Sequence, residues 1–268
     1  MAMSEPVTVA IIGGSGLYAL AAPEEEVRAV TPYGQPSDAI QLVRAGGRRV
    51  AFLPRHGRGH SLPPHRINYR ANLFALRSLG VERVVGACTV GGLRAELKPG
   101  SVVVCDQLFD RTWGRESTYF DGPEVAHLSA ADPYCPELRP HAAAAAEEAG
   151  FAVAPSGTVV VIQGPRFSTR AESAWFQRMG WDVVGMTQHP EAVLARELGM
   201  CYVTLAVVTD FDAGLLDGAD IEPVTQETAI ATFARSRERL AHALDLLVAR
   251  IPVSRSCGCG QVPRALGG

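Results

Sequence analysis

Short runs rich in valine and isoleucine recur along this chain, separated by segments with helical spacing. VTVAII (7–12), RRVAFL (48–53), VERVVGA (81–87), SVVVCD (101–106), TVVVIQ (158–163), WDVVGM (181–186) and CYVTLAVVT (201–209) read as strands. Between them, Tyr69, Leu73, Leu76 and Leu79 share one helical stripe. The alanine-rich stretch from Pro136 to Glu148 stops at Gly150, a C-terminal cap. Thr169 and Glu172 form a capping box for a helix ending at Gly180. Pro190 starts a further helix, with Gly199 just past its end. From Thr225 onward, Ile230, Phe233, Leu240, Leu244 and Leu247 mark a long closing helix packed on one face. Strands alternating with helices predict a single-domain α/β fold, a mixed central β-sheet flanked by helices. That domain spans residues 1–252, and residues 253–268 read as a mobile tail.

Of the 268 residues, 47% are hydrophobic and 20% charged, which suits a compact domain with a sizeable core. A net charge of -3 disfavours nucleic acid as a partner. Apolar runs such as Val159 to Ile162 are far too short to span a bilayer, so no membrane association is expected. MAMSEP has no basic region followed by an apolar stretch, so no secretion signal is read and a cytoplasmic location is expected. Four cysteines, Cys88, Cys105, Cys135 and Cys201, stand in apolar surroundings and read as small buried hydrophobes. Cys257 and Cys259 sit together in SRSCGCGQ. Zinc needs about four ligands, and no histidine or third cysteine is near them in sequence. A strained local disulfide, a redox-sensitive tail or a disordered end with two free thiols are the readings left, the last being preferred.

Five loops after strands carry unusual residues. In IIGGSGLYAL, Gly14, Gly16 and Ala19 match the G-x-G-x-x-A spacing of a dinucleotide loop. Pro23 leaves barely two turns of helix before it, and the acids at 24–26 come too early, which argues against a nicotinamide site. An anion cradle of backbone N–H groups and the Ser15 hydroxyl, or a bare turn, remains. In LPRHGRGH, Arg55 and His56 suit a phosphate or carboxylate, or form a solvated basic loop. Thr89 and the Gly91–Gly92 pair follow VERVVGA, where glycine lets backbone approach a flat ligand. Phe167, in QGPRFSTRAES, stacks on a ring or covers the core. Thr209, Asp210 and Asp212 end the most apolar strand, and the two acids face one side if that strand continues. Carboxylates there are costly unless they bind something or stay protonated. A helix cap and a metal site are the competing readings, though further oxygen ligands for a metal are not evident.

In this order the loops resemble those of the trimer-forming purine nucleoside phosphorylases. The motifs are GGSGL, PRHGRGH with NYRAN, TVGGLR, DQLFDRT, YFDG, DPYCP, GPRFSTRAES, GMTQHPEAVLARELGMCY and TDFDAG, which span residues 8 to about 250. The resemblance implies phosphorolysis, in which inorganic phosphate replaces the purine at C1' of the ribose. It implies no metal or organic cofactor, phosphate being a co-substrate. By the same resemblance Ser15, Arg55, His56, Thr89 and Thr187 hold phosphate. Val90, Gly91 and Phe167 line the purine, Met186 lies under the ribose, and Thr209, beside the acids, also binds substrate. Asp210 and Asp212 read purine N7 and the 6-amino group, and His127 reaches the 5' end of a neighbouring subunit's substrate. An Asn in place of Asp210 would favour a 6-oxopurine, so TDFD speaks for adenine. The expected activity is phosphorolysis of a 5'-methylthio adenine nucleoside in methionine and purine salvage. The alternative is a broader enzyme acting on adenosine, inosine or other 5'-substituted nucleosides. A homotrimer is implied, and two trimers can stack into a hexamer. The chain departs from the family at Gln188 and His189, where His189 is read as a cap before Pro190 or an exposed side chain, and at polar Glu227 and Thr228 near the 5' pocket.

Overall fold

The computed structural model describes residues 5–14, 17, 22–214 and 221–262. Its strands are β1 (Val9–Gly13), β2 (Glu25–Val27), β3 (Ile40–Ala45), β4 (Arg48–Pro54), β5 (Arg83–Gly92), β6 (Val102–Val103), β7 (Gln107–Arg111), β8 (Val153–Ala154), β9 (Thr158–Ile162), β10 (Val183–Gly185) and β11 (Cys201–Asp210). The α-helices are α1 (Tyr69–Ser78), α2 (Leu138–Glu148), α3 (Arg170–Arg178), α4 (Gln188–Glu197) and α5 (Gln226–Arg250). The architecture is the expected single α/β domain with a mixed sheet between helices.

The strands among the described residues join in one sheet, ordered β2-β3-β4-β1-β5-β10-β9-β7. β11 pairs along β5 in parallel and carries β6, which in turn carries β8. β5 is the hub: its first half pairs with β1, and its last two glycines pair antiparallel with β10. Every residue of β1 is buried because helices cover both faces. Ala10 and Ile12 pack with Leu73 and Leu76 of α1 and Leu194 of α4. Val9 and Ile11 pack with Leu138 of α2 and Leu240 and Leu244 of α5. The alternation is the two-residue period of a strand with two buried sides.

Local chemistry sets the helix ends. The Asn68 side chain accepts from the Ala71 amide at the start of α1, and Thr169 and Glu172 close the expected capping box on α3. His189 is extended rather than helical, so α4 effectively runs from Pro190, as its proline predicts. Four strands, β2, β3, β7 and β8, went unread. β2 is short, acidic and mostly exposed, while β7 is an exposed edge, so neither shows a clean apolar alternation. β3 and β4 form a hairpin across Gly46 and Gly47, both at positive φ, the diglycine signal of a tight turn. SVVVCD contributes only Val102–Val103, since the chain then leaves the sheet and Asp106 accepts from the Gly157 amide.

The expected mobile tail is corrected for residues 253–262. Arg83 donates to the Val253 carbonyl, Arg255 to the Gly199 carbonyl, and the Ser256 amide and hydroxyl to Glu137. Cys259 is buried. No helix among the described residues is long and apolar enough to cross a membrane.

Candidate active site

β1, β4, β5 and β11 run in parallel, so their C-terminal ends open at one edge of the sheet. Ligands collect at such edges. β10 runs against β5, which carries its exit, Met186–Thr187, back towards Val90 and Thr89. Topology thus gathers four of the five loops, and the Phe167 loop joins through β9, the parallel neighbour of β10.

At one end lie Gly14, Arg55, His56 and Thr89. Ser15 and Gly16 lie outside the described residues. The Arg55 amide donates to the Gly13 carbonyl and holds the β1 and β4 turns together. Gly14 faces the His56 ring, an added Cβ lying 3.9 Å from it. Thr89 is exposed between buried Cys88 and Val90. Thr187 is buried nearby.

Arg55 departs from expectation. Its side chain is 1% exposed and forms a two-pronged ion pair with fully buried Glu191, at 2.8 and 2.9 Å. Further N–H groups donate to the Ala87 and Ile12 carbonyls. At most one guanidinium N–H is left for an anion. Arg55 therefore fixes the loop and is not an open phosphate clamp. The Tyr202 hydroxyl donates to Glu191 at 2.7 Å and completes the network. His56 Nδ1 lies 2.8 Å from the Leu62 carbonyl, which can only accept, so Nδ1 carries the proton. Burial and then the Arg55 charge push the His56 pKa down to about 4. The neutral ring keeps Nε2 as an acceptor for the O–H of a protonated phosphate.

At the other end stand the acids. β11 has a register shift between Val208 and Asp210, and the strand stops there. The reading that both acids share one side of a continuing strand is therefore corrected. Asp212 arrives through a left-handed turn, φ 48°, and its amide donates to Asp210 Oδ1 at 2.8 Å. The Thr209 hydroxyl donates to Asp210 Oδ2 at 2.7 Å. Burial outweighs these two bonds and raises the Asp210 pKa to about 6. Asp212 is also raised, by burial, with the Ser173 and Ser168 hydroxyls opposing. Asp212 Oδ2, Ser168 Oγ and Ser173 Oγ are all buried and make no well-formed hydrogen bond. Three orphaned polar atoms at one place suit a ligand carrying both donors and acceptors. The Arg170 side chain donates to the Ala213 carbonyl and the Val224 amide to the Asp212 carbonyl, tying α3 and the entry to α5 to this turn.

Gly91 is required where it stands. An added Cβ would lie 2.9 Å from Asp210 Oδ1 and 3.1 Å from Asp212 Cβ. Gly91→Ala is expected to push the acids aside and lower turnover about 10²-fold, the penalty of a displacement near 1 Å. Steady-state rates check this, and an unchanged kcat would contradict it.

Between the two ends lies Met186, half-buried, with Phe167 37% exposed on its loop. Arg115, which the sequence reading missed, braces this middle. It donates to the carbonyls of Met186 at 2.9 Å, His189 at 2.6 Å and Gln163 at 2.8 Å. Glu191 was missed too, although it lies inside a quoted motif. Both act through partners remote in sequence, which no local pattern marks. Gln188 is buried: its Oε1 accepts from Tyr134 and Thr204, and its Nε2 donates to Cys88 and Cys105. His189 is half-buried and pairs with Asp110 at 3.2 Å, correcting the reading of an exposed side chain. Thr228 spends its hydroxyl on a capping box with Thr225, and Glu227 is an exposed first-turn acid. His127 is exposed.

Comparison with known proteins agrees with this geometry. Residues 8–249 match the family model of the phosphorylase superfamily. A purine nucleoside phosphorylase of Streptomyces coelicolor is 53% identical, over 100% of this chain and 97% of its own. An S-methyl-5'-thioadenosine phosphorylase of Thermococcus kodakarensis is 47% identical, over 96% of this chain and 98% of its own. The crystal structure of a methylthioadenosine phosphorylase from an antarctic soil metagenomic library superposes with a TM-score of 0.87 at 42% identity, covering 96% of this chain and 91% of that one.

Proposed function

Because the chain belongs to the phosphorylase superfamily, we propose that it catalyses phosphorolysis of S-methyl-5'-thioadenosine to adenine and 5-methylthioribose 1-phosphate. The observation that carries this reading is Asp210, a carboxyl held at a pKa of about 6 beside the orphaned Asp212 oxygen. As the C1'–N9 bond breaks, positive charge builds on the sugar and negative charge on the purine. Asp210 gives its proton to N7, and Asp212 accepts from the 6-amino group. Phosphate, held by Ser15, His56, Thr89 and Thr187 with Arg55 bracing the loop, forms the new bond to C1' and stabilises the sugar cation. Val90, Gly91 and Phe167 enclose the purine, Met186 supports the ribose, and Thr209 holds Asp210. The reaction uses no metal or organic cofactor.

The polar character of Thr228 does not speak for a 5'-hydroxyl, since its hydroxyl caps α5. A homotrimer, alone or stacked as a hexamer, brings His127 to the 5' end of a neighbour's substrate. Initial rates with phosphate on S-methyl-5'-thioadenosine, adenosine and inosine test the specificity. The methylthio nucleoside is expected to be fastest and inosine slowest. Fastest turnover of inosine would remove Asp212 from its amine-reading role and favour the broader activity for which the Streptomyces relative is named.

A further inference from the structure

Cys201 opens β11 and Asp210 closes it, so a second cluster of reactive side chains lies about 30 Å from the acids, at roughly 3.3 Å per strand residue. Cys257 Sγ is 3.6 Å from Cys135 Sγ and 3.5 Å from Cys201 Sγ. With Cys259, the four sulfurs all lie within 4.8 Å of one another. Cys135, Cys201 and Cys259 are buried, Cys257 is half-buried, and none is in a disulfide. Residues distant in sequence are brought together here, which is why the tail motif alone lacked two of its ligands.

We infer that Cys135, Cys201, Cys257 and Cys259 form a structural zinc site of four thiolates that fastens the C-terminal tail to the sheet. Tetrahedral zinc with bonds of about 2.3 Å spaces its sulfurs about 3.8 Å apart, close to the separations seen here. The tail is fastened just ahead of the motif without any ion, because Arg83, Gly199 and Glu137 hold Val253, Arg255 and Ser256. Charge fits as well. Four thiolates around a divalent ion leave two negative charges, and buried cations stand ready to offset them. Cys201 is the register partner of Arg83, which pairs with Glu82 at 2.6 Å and keeps a buried Nε without a partner. Arg196, whose charge acts on Cys259, has buried Nε and Nη1 atoms without partners. The ion takes no part in phosphorolysis, and its binding releases the thiol protons it displaces.

The test uses the full chain, purified with a phosphine reductant and without chelator. Elemental analysis is expected to find about one zinc per chain. After stripping, titration with Zn²⁺ against a chromophoric chelator should restore that ratio, and Co²⁺ in its place should give the visible spectrum of a tetrahedral thiolate site. The Cys257→Ser/Cys259→Ser variant should bind neither ion and keep its phosphorolysis rate, while chelation should lower the Tm of the wild type only. The cobalt spectrum reads the wild type directly, so it decides the matter even if the variant folds poorly. No zinc uptake by the reduced wild type, undiminished uptake by the variant, or mapping that finds these four cysteines in disulfides under reductant and added zinc would each overturn the site.

Discussion

Asp210→Ala is expected to lose about 10²–10⁴-fold in kcat on S-methyl-5'-thioadenosine, the usual worth of a positioned general acid. Phosphate binding should survive, because the residues proposed to hold the anion stand at the other end of the groove. In the proposed role Asp210 works as an acid only while protonated, and its position favours the proton. It ends a strand whose other residues are all buried, and burial raises its carboxyl to about 6 despite bonds from Thr209 and the Asp212 amide. The sign follows from that value. In the free enzyme the proton is present below about pH 6 and is lost above it, so kcat/KM should fall on the alkaline side with Asp210 as its source. Asp210→Ala should lose that limb along with its rate. A variant with wild-type turnover, or the same alkaline limb, would remove Asp210 from the proton-donor role.

Arg55→Ala is expected to destabilise the protein by about 3–5 kcal/mol, because it leaves the Glu191 carboxylate buried without its counter-charge. The loss should appear in denaturant unfolding. Replacing both partners, as Arg55→Met with Glu191→Leu, should recover most of the stability, since an apolar pair of similar size needs no desolvated charge. The double variant should still need more phosphate than the wild type, because Arg55 holds the β4 loop that presents His56. Stability that falls with Arg55→Ala and stays low in the double variant would contradict the pairing. A phosphate KM restored along with stability would reduce Arg55 to a merely structural role.

Much of this was legible in the chain because the relevant physics is local. Val- and Ile-rich runs located seven of the strands, and capping chemistry at Thr169 placed α3. The loops that build the groove follow apolar strands, and the parallel pairing of β1, β4, β5 and β11 puts them at one edge. What stayed hidden depends on contacts far apart in sequence. Arg55 and Glu191 are separated by 136 positions, and nothing beside either announces the pair. The reach of Arg115 under Met186 and the meeting of Cys135 with Cys257 are of the same kind. Asp212 was misplaced for a different reason. A two-residue period was carried past the end of β11, where a left-handed turn replaces it. The β3–β4 hairpin, by contrast, did have a local mark in its glycine pair.

The central claim is that phosphate, and not water, takes the sugar. Phosphorus-31 magnetic resonance of the reaction with S-methyl-5'-thioadenosine tests it most directly. The account predicts a sugar 1-phosphate signal growing in step with released adenine, and no adenine in phosphate-free buffer. Adenine released at the same rate without phosphate, leaving free methylthioribose, would contradict it.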